Sequence, residues 1–350
     1  MRRTSKRFKK HSTFKHIDQP DGSPQRRRGR PTRYYIQGDI VRMRIVKILT
    51  IILAVSLGTS FSVAGEKMGI LILAHGSKDK RWEDAVRSVA EPIKQRYPLE
   101  IAFGMADPAT MQQAIDKLEA EGVTRIVVVP LFISSYSPII RQNEYLLGLR
   151  KKLADPPMMM QHSSDGHESN HLSHGGELPS LRPLRVNAQV ILTKALDDNP
   201  LVAEILDERI NELSKDPPNE TVILVAHGPN DEEDNRNWLG TMESIADRIY
   251  VSRSEARMRF KHIFCVTVRD DAEKAVHDQA RQHLRSLVRQ SGKSGDVIVI
   301  PVFVAQGGVE LKIVERLEGL KYRWSGKTLL PHGNIQRFIE ESVQHLPGLD

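Results

Sequence analysis

The pattern that most limits how this chain can fold is an apolar run that stops at a histidine, and it occurs twice. Gly69 to Lys80 reads GILILAHGSKDK, and Thr221 to Glu232 reads TVILVAHGPNDE. Continuous apolar runs of this length are expected of strands buried on both faces of a parallel sheet. Each then ends on Ala-His-Gly, with polar residues following. A packed strand end would explain one such histidine. Two at equivalent positions, His75 and His227, favour a site.

The runs after each histidine also match. In the first half they are LEIAFGMA (99–106), RIVVVPLFI (125–133) and AQVILTKA (188–195), with helices expected over 81–96 and 109–121. In the second half they are KHIFCVTV (261–268), DVIVIPVFV (296–304) and GKTLLPHG (326–333). Short apolar runs alternating with helix-length segments are the signature of βαβ units. The expected fold class is α/β, with two similar doubly wound, flavodoxin-like parallel-sheet domains facing a cleft. The expected boundaries are 65–215 and 216–350. In open parallel sheets ligands bind beyond the carboxyl ends of the strands, where both histidines stand.

Composition matters mainly for the leader. The first 50 residues hold 15 Lys/Arg against 3 Asp/Glu, a balance of +12; since the whole chain is at +7, the other 300 residues carry −5. The globular part is therefore mildly acidic, and no nucleic-acid partner is expected. Residues 1–42 read as a basic disordered extension. Residues 43–64 have a positive start, a short apolar core (Ile48 to Leu57) and the small residues Ser62-Val63-Ala64. That order is a signal peptide, with export to the periplasm and a mature start at Gly65 expected; a true start at Met43 or a cytoplasmic location is the alternative. The core is too short for a stable membrane span. The single Cys265 excludes an internal disulfide.

LILAHGS, AFGMADPATMQQAIDKL, GVTRIVVVPLFIS and LDDNPLVAEILDERI, in this order and with the duplicated strand ends, resemble the CbiX-type class II chelatases over about Met68 to Val343. The resemblance implies insertion of a divalent metal (Co²⁺, Fe²⁺ or Ni²⁺) into sirohydrochlorin, in cobalamin or siroheme synthesis. It implies no organic cofactor. The partners are then a small tetrapyrrole and the metal itself; nothing in the sequence bears on oligomeric state. His75 and His227 become the expected catalytic and metal-binding groups. Imidazole suits these ions and can serve as a base near neutral pH.

The chain departs from the family's pattern in the loop after the Pro-Leu-Phe strand, where a second histidine is usual. The first-half loop ISSYSPIIRQNEY has none, and in VAQGGVELKI Glu310 stands where it would be expected, with Glu144 a further substitute. Glu310 is thus the expected third catalytic and metal-binding group. Ser134, Ser135 and Arg141 are expected to bind the anionic tetrapyrrole, with Lys78 and Lys312 as further cations and His332 as a reserve site. The serines read equally well as a polar turn, and for each of Arg141, Lys78 and Lys312 taken alone solvated surface charge is the commoner reading. The histidine-rich stretch with His162, His167, His171 and His174, within an insertion spanning 156–185, reads as a flexible linker that either scavenges metal or does nothing chemical.

A non-catalytic exported metal- or tetrapyrrole-binding protein on the same fold is the alternative function. A hydrolase or phosphohistidine enzyme is disfavoured: the sequence has no Arg-His-Gly, nucleophile elbow or phosphate loop.

Overall fold

The computed structural model describes residues 66–77, 79–153 and 181–346, which belong to one compact unit. The leader, the proposed signal segment and the four clustered histidines lie outside these residues.

The first half runs β1 (Met68–Ala74), α1 (Lys80–Lys94), β2 (Leu99–Phe103), α2 (Pro108–Ala120), β3 (Arg125–Leu131), α3 (Pro138–Leu146), β4 (Gln189–Leu192) and α4 (Pro200–Asn211). The second runs β5 (Glu220–Ala226), α5 (Glu232–Ser252), β6 (His262–Thr267), α6 (Lys274–Ser291), β7 (Asp296–Val302), α7 (Val309–Arg316), β8 (Arg323–Trp324) and α8 (Gly333–Gln344). Two four-stranded parallel sheets result, ordered β2-β1-β3-β4 and β6-β5-β7-β8. The strand order reverses between β1 and β3, and again between β5 and β7. Those are the switch points at which such sheets open a crevice.

The unbroken apolar runs follow from burial on both faces. Ile70, Ile72 and Ala74 face a central core, while Leu71 and Leu73 face an outer one. That central core is shared. It holds side chains of β1, β3, α1 and α4 from the first half and of β5, β7, α5 and α8 from the second. The outer face of the first sheet is covered by α2 and α3, that of the second by α6 and α7. The halves therefore pack through four helices that the two sheets enclose.

The structure corrects two expectations. The fourth strand of the second half is Arg323–Trp324, ahead of the expected 326–333. Leu329 and Leu330 only donate backbone hydrogen bonds to Phe303 and Val304 just past β7 (2.9 and 2.8 Å), so the later run continues the sheet's edge without joining its ladder. The expected insertion is also too long at its end. Leu181 and Leu184 pack on the outer core of the first sheet, and the Leu184 and Arg185 amides bond to Leu146 O (2.7 Å) and Gln112 Oε1 (2.9 Å).

Candidate active site

The two histidine turns are built alike. After each strand comes a glycine at φ 75°, Gly76 and Gly228. This left-handed step swings the glycine carbonyl back under the preceding imidazole, and glycine adopts it without a Cβ penalty. His75 Nδ1 lies 2.7 Å from Gly76 O, and His227 Nδ1 lies 2.9 Å from Gly228 O. A carbonyl only accepts, so Nδ1 carries the proton in both rings and Nε2 is left with the chemistry. Asp79 caps α1 by accepting from the Arg81 amide at 3.0 Å, and Ser77 supports it by accepting from the Asp79 amide at 3.1 Å.

The two rings differ in what Nε2 meets. His75 is exposed, with its ring 6.2 Å from that of buried Trp82, which stands edge-on to Phe103 at 6.3 Å. His227 is half-buried, and its Nε2 lies 3.2 Å from Asp271 Oδ2. Burial works against a charge on His227, but the hydrogen bond to Asp271, the Asp271 charge, the Gly228 carbonyl and the Asp270 charge outweigh it. The imidazole is held above its ordinary range. Asp271 is held below the usual carboxylate range by the His227 hydrogen bond, against partial desolvation, with the charges of His227, Lys312 and His75 adding to the effect. Asp271 is thus the carboxylate that partners His227. It follows Asp270, whose buried carboxylate pairs with buried Arg316 and lies 3.6 Å from Lys312 Nζ. That anchor fixes the turn that offers Asp271 to His227.

Glu310 has another task. Its Oε2 accepts from the amides of Gly307 (3.2 Å) and Gly308 (3.0 Å), and the side chain is buried. It closes the left-handed Gly308 turn (φ 95°) that opens α7, where a carboxylate satisfies unpaired amides. The loop is nonetheless near the first histidine turn: a Cβ on Gly307 would stand 3.2 Å from Trp82 Cδ1 and 3.7 Å from Ser77 Oγ. Among the described residues, no three His, Cys, Asp or Glu side chains are grouped to hold one ion. The expected trio of His75, His227 and Glu310 is therefore not a preformed three-donor site, because Glu310 is folded back onto its own loop.

The expected tetrapyrrole-binding residues are also engaged internally. Ser134 is fully buried, and its Oγ accepts from the Tyr136 amide at 3.1 Å. Ser135 gives both its amide and its hydroxyl to the Asp197 carboxylate, each at 2.7 Å. Arg141 makes a two-pronged pair with buried Asp234 on α5 (2.9 and 2.7 Å), joining the halves. Glu144 holds Arg150 at 3.0 Å. His332 caps α8, accepting from the Asn334 amide at 3.1 Å, and lies 2.9 Å from Glu208, so it is tied to a helix pair and not held in reserve. Lys78 lies outside the described residues. Sequence reasoning missed Asp271. The signal for Asp271 was available: two adjacent aspartates follow the run that ends β6, at the same sheet edge as His227.

Residues 69–137 match the CbiX family model. Over 146 residues, 41% of this chain and 94% of the relative, it is 27% identical to a sirohydrochlorin cobaltochelatase of Saccharolobus islandicus (strain L.S.2.15 / Lassen #1). Over the same length it is 24% identical to a sirohydrochlorin cobaltochelatase of Methanothermobacter thermautotrophicus, 91% of which is covered. The fold is similar to that of SirB from Bacillus subtilis with Fe³⁺, with TM-score 0.53 and 15% identity over 79% of this chain and 94% of that one. These matches, with the duplicated histidine turns, show that the chain resembles the CbiX-type chelatases in sequence and shares the chelatase fold, with the four-stranded sheet unit present twice.

Proposed function

We propose that the protein inserts a divalent metal, cobalt or iron, into sirohydrochlorin or a similarly carboxylate-rich tetrapyrrole. The observation that carries this reading is the pair of Ala-His-Gly turns whose Nδ1 atoms are both locked on their own glycine carbonyls, leaving both Nε2 atoms as donors. Metal insertion needs a loosely held ion and the removal of two pyrrole protons. His75 Nε2 is the entry ligand, carried on an exposed ring. His227 with Asp271 is the pair that takes part in ligation and proton removal once its own proton has left. Donors from water and from the macrocycle complete the coordination, as suits an ion in transit. Relatives named for cobalt insertion into sirohydrochlorin support the substrate class.

The test is a spectral assay with sirohydrochlorin and Co²⁺ or Fe²⁺. His75→Ala and His227→Ala are each expected to lose about a hundred- to ten-thousand-fold in rate, as removal of a base or ligand does, while remaining folded. Wild-type rates in both variants would reject the reading. The absence of a three-donor cluster among the described residues favours a second reading, a binder without turnover. The same assay separates the two, since a binder shifts the tetrapyrrole spectrum without forming metal product. Export with a mature start near Gly65 belongs to the proposal as well, and N-terminal sequencing of the protein from fractionated cells checks it.

A further inference from the structure

The loop between β3 and α3 is more tightly built than a surface turn requires. Ser135 is held by Asp197 through two hydrogen bonds of 2.7 Å, and its Oγ also accepts from the Ala195 amide at 3.0 Å. Ser134 Oγ accepts from the Tyr136 amide, and Ser137 caps α3 by accepting from the Ile139 amide at 3.2 Å. Asp197 itself sits at φ 42°, a strained position for a residue with a side chain, and its amide bonds to Ile133 O at 3.0 Å. Ser134 and Ser137 are buried. Between them stands Tyr136, 48% exposed.

Its place in the fold is at the candidate site. β3 lies beside β1 in register, with Leu131 opposite Ala74, so this loop leaves the sheet next to the His75 turn. α3, which follows, reaches the second half through Arg141 and Asp234, three residues into the helix that opens after the His227 turn. The duplicated loop shows that the position does not need a side chain for folding. The residue two places before the following helix is Tyr136 in the first half and Gly307 in the second, and Gly307 lies against Trp82. One loop thus closes onto its neighbour with no side chain, while the other fixes an aromatic ring outward.

We propose that Tyr136 is a substrate-contacting residue that lays its ring against the tetrapyrrole macrocycle at the mouth of the histidine site. This rests on the proposed chelatase function. A phenol matches that ligand in two ways: its face offers flat apolar area at little conformational cost, and its hydroxyl donates to a peripheral carboxylate. The serines do not touch the ligand. They hold the backbone so that the ring is presented in one place.

The test is titration of metal-free sirohydrochlorin, followed by its fluorescence, into wild type, Tyr136→Phe, Tyr136→Leu and Tyr136→Ala. Tyr250→Ala serves as a control, since Tyr250 is also exposed, at 44%, but lies in the last turn of α5. Tyr136→Ala is expected to weaken binding about tenfold, in line with truncation of an interfacial aromatic. Tyr136→Phe is expected to stay within about threefold of wild type, as only the hydroxyl is lost. In turnover the loss is expected in KM, with kcat changed little and Co²⁺ binding in the absence of macrocycle unchanged. Wild-type affinity in folded Tyr136→Ala and Tyr136→Leu overturns the inference and leaves the chelatase reading standing. Wild type that binds, fails to insert metal, and loses binding in Tyr136→Ala overturns chelation and supports the contact. No binding by wild type overturns both.

Discussion

At the scale of single residues, the two histidines share a backbone turn and differ in their partners. His75 faces outward, while His227 is half-buried against Asp271. Replacing Asp271 by Asn removes the carboxylate that offsets burial, so the His227 titration midpoint is expected to fall, which ring-proton NMR measures. The stability consequence has a definite sign. The folded-state value for His227 is raised, so the pair's contribution is fully present below the ordinary imidazole value of about 6.5 and is lost as pH rises through the raised value. It is also lost in acid, when Asp271 protonates. Asp271 is mostly exposed, so the contribution is on the order of 0.2–1 kcal/mol. The wild type is expected to exceed Asp271→Asn by this amount near pH about 6 and by nothing in mild alkali. A difference in unfolding free energy that does not change with pH would remove the ion pair from the account. Metal uptake through His227 must also displace its proton, so uptake is expected to strengthen as pH rises through the same range.

At the scale of elements, the turns between elements depend on glycine in two separable ways, one after a helix at Gly122 and one after a strand at Gly228. Gly122 and Gly228 both have positive φ, 81° and 75°. A Cβ on Gly122 would meet nothing within 4 Å, whereas one on Gly228 would lie 2.4 Å from Thr267 Cβ and 2.9 Å from Asn235 Oδ1. Gly122→Ala is therefore expected to cost only the left-handed strain, about 1 kcal/mol. Gly228→Ala adds a clash with the end of β6 and is expected to cost roughly 3 kcal/mol, and to move the His227 ring with it. Equal costs in urea unfolding would show that the turn relaxes freely. Much of this scale was legible in the sequence. The central strands β1, β3, β5 and β7 fall where unbroken apolar runs predicted them, because burial on both faces leaves no room for polar alternation. The fourth strand of the second half was misplaced because Leu329 and Leu330 are apolar for core packing and make only two ladder-like bonds.

At the scale of the whole molecule, the halves are bound by a shared apolar core and by polar links such as Arg141 with Asp234. Because α1, α4, α5 and α8 all lie in that core, the protein is expected to unfold in one cooperative transition, with neither half stable alone. A double-mutant cycle with Arg141→Ala and Asp234→Ala measures the link. Both groups are largely shielded from water, so a coupling of about 1.5–3 kcal/mol is expected. Additive single and double variants would show that the pair contributes nothing to holding the halves together.

The amino-acid order by itself determined the duplicated strand pattern, the α/β class and the placing of His75 and His227 at strand ends, because these depend on local periodicity and chain punctuation. It could not say what each polar side chain would meet. Glu310 reads equally well as a metal ligand or as a helix cap, and only the closure of the Gly308 turn turns its carboxylate onto its own amides. Ser135 and Arg141 read as ligand-binding groups until Asp197 and Asp234, 62 and 93 residues away, arrive as their partners. Asp271 acquires its role only when β6 is laid beside β5 and its end meets His227. Hydrogen bonds and ion pairs act over a few ångströms between residues far apart in the chain, so the assignment of polar partners was decided by the tertiary structure.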